Sequence, residues 1–224
     1  MAETRLSVVY RALLSSMPQA QIRIVDTRAI ADIARALGFQ PAIIRQGLVK
    51  GHYLLPVHFD GIYYLLDPDE LNTKFLRNRS IEIVAAACAH VFGKNWYYGL
   101  NSALYLNGLI NQSPREFIIL TDQTQQAAFL FGGDSFQIRR SAVKDYSIEV
   151  EEKGWVRFSS PARTLTDYLY FNIKLGKQDY AIRMAKDILH NSPDIAQKLN
   201  RDLIGLYPSP YNMAIGYAAD QVRG

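Results

Sequence analysis

The chain has 224 residues, 49% of them hydrophobic and 21% charged, with a formal net charge of +4. Such a chain can build one large domain or two modest ones around a real core. No run of about eighteen uncharged apolar residues exists, which argues against a membrane span. The N-terminal MAETRLSVVYRALLSS has early charges and helical periodicity where a signal peptide has an apolar core, so a cytoplasmic protein is expected. One cysteine, Cys88, excludes an internal disulfide, and within IVAAACAHV it reads as a small residue of a buried helix. The charge is unevenly spread. Through Gly51, Arg5, Arg11, Arg23, Arg28, Arg35, Arg45 and Lys50 stand against Glu3, Asp26 and Asp32, and the remainder is balanced. A basic first quarter points to a polyanionic partner.

A first helix is predicted from Glu3 to Met17, with Leu6, Val9, Leu13, Leu14 and Met17 on one face. Pro18 and the polar Gln19, Ala20 and Gln21 break it. A second helix starts at Asp26 or Thr27, either of which can cap it. Its inward stripe is Ile30, Ile33, Ala34 and Leu37, and Gly38 fits a left-handed C-cap. Pro41 suits the first position of a third helix, because its missing N–H costs nothing there. At 100° per residue, Ile43, Ile44, Gly47 and Leu48 share one arc and Ala42, Arg45, Gln46, Val49 and Lys50 the other.

In HYLLPVHFDGIYYLLD, Asp60-Gly61 lies between two strand-like runs, the strongest short hairpin signal, and Pro56 confines the first strand to an edge or bulge. Helices joined by a short turn and followed by a hairpin describe a winged helix-turn-helix over residues 1–70. In that architecture the third helix enters the major groove and the hairpin tip reaches sugar-phosphate. The candidate DNA-binding residues are Gln40, Ala42, Arg45, Gln46, Lys50 and His58. Arg and Gln can grip purine edges through paired hydrogen bonds, Lys neutralises phosphate, and Ala42 lets the helix approach. The tip itself is poor in basic residues, having only His58, so it is a weak phosphate clamp and leaves a protein-interaction role open.

From Asp67, DPDELNTKFLRNRSIEIVAAACAHVFG reads as a long helical pattern with a domain boundary near Lys74, Arg77 and Arg79. Residues 71–224 then form a mixed α/β domain with a helical C-terminal end. Its strands are NWYY, Phe117 to Leu120, AFLFGG, DSFQIRRS, YSIEVEEKG and WVRFSS. A helix capped by Asn101 or Ser102 follows the first of these, and another opens at Ser160-Pro161. The last fifty residues are helical.

No phosphate loop, dinucleotide fingerprint or nucleophile elbow is present. His52, His58, His90 and His190 are too scattered for a local metal motif, so no metal and no cofactor is expected. Asp134 with Glu151-Glu152-Lys153 loosely matches the Asp…Glu-x-Lys arrangement of metal-dependent nucleases, in which two carboxylates hold Mg²⁺ and a lysine orients water. In IEVEEKG the plainer reading is a solvated hairpin end. Arg163 and Asp167, four apart in PARTLTDYL, suggest an intrahelical ion pair.

Three blocks, IIRQGLVKGHYLL with GIYYL, NWYYGLNSALYLNGL, and FSSPARTLTDYL with its Ser-x-x-Arg-Thr-Leu-x-Asp-x-Leu order, resemble the AbiEi-type antitoxin and transcriptional regulator family of abortive-infection systems. That resemblance implies a winged helix on operator DNA upstream of its own operon. It also implies a C-terminal domain for antitoxicity, a nucleotidyltransferase-like toxin encoded nearby, and no catalytic motif. The expectation is therefore a non-enzymatic, DNA-binding repressor and antitoxin with no membrane partner. Self-association on DNA is expected too, since one winged helix reads only a short site. The alternative is a metal-dependent nuclease carrying a winged-helix targeting domain.

Overall fold

The computed structural model describes residues 4–18, 22–123, 127–199 and 201–223. Glu3 and the break at Gln19, Ala20 and Gln21 lie outside the described residues. The chain is α+β and divides into two units, Met1–Val91 with Leu130–Asp134, and Phe92–Phe129 with Ser135–Gly224.

In the first unit, Thr4 caps α1 (Arg5–Ser15) by accepting from the Ser7 N–H, and the helix buries Val9, Tyr10 and Leu13. A short strand, β1 (Ile24–Asp26), follows; the sequence pattern did not announce it. Of the two candidate caps for α2 (Thr27–Ala36), Asp26 does the capping, its Oδ1 accepting from the Ala29 N–H at 2.7 Å. The Thr27 hydroxyl instead donates to the Gly61 carbonyl. Gly38 takes φ +75°, as a left-handed helix end requires, and the Phe39 N–H returns to the Ala34 carbonyl. Helix α3 (Pro41–Lys50) then sets out with Gly47 close against α1: a Cβ there would lie 2.6 Å from Leu6 Cδ2, the flexible end of a side chain that would have to shift.

Strands β2 (Leu54–Pro56) and β3 (Ile62–Leu65) form the expected hairpin, turned at Gly61 with φ +70°. Central β3 pairs antiparallel with both neighbours, Tyr64 facing Ile24 on one side and Leu55 on the other. Val9, Leu13, Ile30, Ala34, Ile44, Leu48, Leu54 and Leu65 close one core between these helices and the sheet.

The expected long helix after Asp67 is two helices, α4 (Pro68–Thr73) and α5 (Ser80–Phe92), parted by Lys74 at φ +60°. Asp67 and Glu70 cap α4 reciprocally. Glu70, only 2% exposed, also accepts from the Tyr64 hydroxyl at 2.7 Å and the Arg77 N–H at 2.8 Å. Asn78 Nδ2 donates to Tyr64 as well. These bonds tie the segment after residue 70 to β3. The first unit accordingly runs to Val91, whereas the sequence pattern suggested a boundary after residue 70.

Most of the second unit's strands belong to a six-stranded sheet, of which Leu130, Phe131 and Asp134 fall in the first unit. Its strands are β4 (Trp96–Tyr98), β5 (Phe117–Thr121), β6 (Ala127–Phe131), β7 (Asp134–Arg140), β8 (Val150–Lys153) and β9 (Val156–Ser159), in spatial order β6-β7-β5-β4-β9-β8. The β5–β7 and β4–β9 pairs are parallel, and β4–β5 and β8–β9 antiparallel. Between β4 and β5, α6 (Leu100–Leu106) is capped at Gly99, not at Asn101 or Ser102. Leu100 takes φ +52°, and Ser102 is buried inside the helix, accepting from the Ile118 N–H at 2.6 Å. Ser160 caps α7 (Pro161–Lys174) as expected. The helices α8 (Gln178–Asn191), α9 (Asp194–Lys198), α10 (Arg201–Gly205) and α11 (Ser209–Arg223) complete the chain and share an apolar core with α7 and β5. Among the described residues no helix is long and apolar enough to cross a membrane.

Candidate functional site

Helix α3 has two unlike sides. Ile44 and Leu48 are buried in the core, and Gly47 lies against Leu6. Ala42, Gln46 and Lys50 are exposed and Arg45 is half-buried, as the arc assignment anticipated. Ile43 is the exception: expected on the inner arc, it is 63% exposed. The physical reason is angular. Successive residues step 100°, which carries Ile43 past the edge of the narrow stripe set by Ile44 and Leu48 and onto the side of Lys50. At the N-terminus, Gln40 stands at the N-cap with no side-chain cap bond, which leaves its carboxamide exposed.

The hairpin forms the second wall. Arg45, Gln46, Val49 and Lys50 face Pro56, His58, Asp60 and Tyr63 across a groove of about 500 Å³. His58 packs edge-on to Phe59, ring centroids 5.8 Å apart, and burial lowers its pKa below the ordinary histidine value. The tip offers the His58 imidazole and the Asp60 carboxylate, and the cationic wall of the groove comes from α3.

The basic first quarter resolves into paired and unpaired charges. Arg28 and Arg35 both meet Asp32, Arg23 lies 3.9 Å from Asp67, and Arg5 sits over the Phe39 ring. Arg45, Gln46 and Lys50 have no hydrogen-bond or ion-pair partner among the described residues. Two cations without a carboxylate partner, Arg45 and Lys50, thus lie on α3 together with the Gln46 amide.

The residues set aside for catalysis do not converge. Asp134 opens β7, while Glu151 and Lys153 lie on β8, and β5, β4 and β9 run between the two strands. Four strand spacings of 4.7–4.9 Å put about 19 Å between β7 and β8, too far for one metal ion. Asp134 accepts a hydrogen bond from the Ser80 hydroxyl, and Glu152 pairs with Arg157 at 3.1 Å. No group of three or more His, Cys, Asp or Glu placed to hold a metal occurs among the described residues.

The second unit holds a polar cluster of another kind. Arg163 is fully buried, its Nη1 donating to the Asp145 carbonyl at 2.9 Å and to that of Ile148. Its guanidinium carbon lies 4.4 Å from the Tyr97 ring centroid, a cation–π contact beside Nε and Nη2 atoms that have no hydrogen-bond partner among the described residues. Asp167 accepts from the Tyr97 and Tyr207 hydroxyls at 3.0 and 2.8 Å. The expected Arg163–Asp167 pair is thus replaced by separate partners. Burial raises the Asp167 carboxyl above its ordinary value, while Arg163 and the two hydroxyls oppose that shift.

No family model and no curated protein matches the chain. The fold is similar to that in the crystal structure of the RV2827C protein from Mycobacterium tuberculosis, with a TM-score of 0.63 over 99% of this chain and 78% of that one. At 13% identity this is a likeness of fold alone.

Proposed function

We propose that the first unit is a winged helix-turn-helix module that binds double-stranded operator DNA, with α3 in the major groove and the β2–β3 hairpin against the backbone. The carrying observation is the unpartnered set Arg45, Gln46 and Lys50 on the exposed side of α3, beside the hairpin groove. The element order, α1-β1-α2-α3-β2-β3 with β3 central in a three-stranded sheet, supports the same reading. In it Arg45 and Gln46 read base edges, Lys50 meets phosphate, and Gln40 and His58 supply further hydrogen bonds. Ile43 joins them as an apolar contact for a thymine methyl, a role that arc counting had hidden.

The further reading is a repressor and antitoxin of a toxin–antitoxin operon whose nucleotidyltransferase-like toxin is encoded nearby. It rests on the AbiEi-type sequence resemblance, in which the antitoxin part belongs to the second unit. In this reading the protein acts by binding, and tight operator binding calls for two copies because one winged helix reads only a short site.

A mobility-shift titration tests the DNA reading. The protein should prefer duplex from upstream of its own gene over random duplex. Its affinity should fall by orders of magnitude between low and moderate salt as phosphates are neutralised. Equal binding to both duplexes would refute operator recognition.

A further inference from the structure

Two depressions adjoin on the second unit, of about 380 and 340 Å³. They share Asn101, Pro114, Arg115 and Tyr168, so together they form one elongated groove along α6, α7 and α8. Its lining mixes apolar side chains, Leu100, Ile118 and Phe171, with polar ones, Asn101, Arg115 and Arg139. Two large apolar side chains stand open at its sides, Leu175 at 66% and Tyr180 at 48% exposure. Arg115 and Arg139 supply two positive charges against the single carboxylate of Glu116. Arg115 has no hydrogen-bond or ion-pair partner among the described residues, and Arg139 donates only to the neutral Gln137.

We infer that this groove is a docking site for an extended, acidic-apolar segment of a partner protein. Each feature selects that occupant. The length given by two adjoining depressions suits an extended chain better than a compact metabolite. The open Leu175 and Tyr180 suit aliphatic or aromatic anchors, whose burial favours such binding. The Arg excess favours carboxylates and disfavours lysines along the same segment. A nucleic-acid strand fits less well. Two arginines beside Glu116 make no continuous basic track for a phosphate backbone. All lining residues belong to the second unit, so the inference stands apart from the DNA-binding reading.

The test is fluorescence anisotropy on the full chain with three labelled probes: a short peptide alternating Leu and Glu, its counterpart alternating Leu and Lys, and a single-stranded oligonucleotide. The Leu-Glu peptide should bind, more weakly as salt rises, and at least tenfold more tightly than either other probe. Arg115→Glu and Leu175→Asp, both at exposed positions, should each weaken it about tenfold while leaving the thermal melt and DNA binding unchanged. Lys50→Ala should leave peptide binding untouched. Absence of Leu-Glu binding, equal binding of the Leu-Lys peptide, preference for the oligonucleotide, or indifference to both substitutions would each overturn the proposal.

Discussion

Helices α3 and α7 begin alike and end in opposite situations. Each has proline at its first position and an arginine a few residues in. On α3 the N-cap Gln40 makes no side-chain cap bond, and Arg45 has no hydrogen-bond or ion-pair partner among the described residues. On α7 the Ser160 hydroxyl both accepts from the Arg163 N–H and donates to Glu149 at 2.5 Å. The residues from Ala162 to Tyr170 are all buried, Arg163 among them. The same side chain therefore has two jobs. Buried and engaged, it organises the fold around it; half-exposed and unengaged, it is left for something outside the chain. Residue type does not decide between them, whereas the partners brought by the rest of the fold do.

The comparison breaks first, and with the largest effect, at Arg163. Arg163→Ala should cost about 3–5 kcal/mol of stability, because it strips the positive charge from beside a buried carboxylate and frees the 145–148 loop. The pH dependence carries a sign. Asp167 already has a raised folded pKa, so its contribution is full below the ordinary carboxylate range and is lost as pH rises through the folded value. Removing Arg163 raises that folded value further, so the deficit of the variant should grow from acid pH toward neutrality. Denaturant melts across that range check it. A deficit that shrinks toward neutrality, or a loss below about 1 kcal/mol, would place Arg163 outside the structural class.

How much of this was legible in the sequence differs between the two helices. The bounds of α3 follow from local signals, Gly38 before it and Pro41 at its start, and the hairpin from Asp60-Gly61. The partners of α7 are not local. Tyr97, Tyr207 and the carbonyls of Asp145 and Ile148 come from positions that no spacing rule connects to Arg163. An i,i+4 Arg–Asp spacing therefore suggested an ion pair when distant hydroxyls and carbonyls were the true partners. Strand β1 was missed because three residues are too few to show alternation. The break between α4 and α5 was missed because a lysine, not a glycine, takes the left-handed turn. The exposed Ile43 was missed because an apolar residue beside a core stripe reads as part of it.

Ile44 gives the next largest effect and tests the orientation of α3. It is 3% exposed in the first core, so Ile44→Ala should cost about 2–5 kcal/mol through lost burial and the cavity left behind. Ile43→Ala, one residue earlier, should leave stability within about half a kcal/mol, since its side chain is open to solvent. Thermal melts of the two variants decide the matter. Equal losses would mean that the helix is turned differently from the arrangement described.

The smallest effects on stability belong to Arg45 and Lys50, and they are the sharpest test of function. Neither has a polar partner among the described residues, so Arg45→Ala and Lys50→Ala should each melt within about half a kcal/mol of the parent. Their effects on DNA should differ in kind. If Arg45 reads base edges, its loss should weaken the cognate duplex by about 1–3 kcal/mol and relax preference at particular base pairs. If Lys50 meets phosphate, its loss should weaken cognate and random duplex about equally and lower the salt slope by about one. The measurement pairs binding to matched and scrambled duplexes at several salt concentrations with melts of each variant. Unchanged binding in both would leave the exposed side of α3 as ordinary solvated surface. A uniform loss in both would reduce it to a non-specific polyanion contact, because base reading by Arg45 requires the loss to depend on sequence.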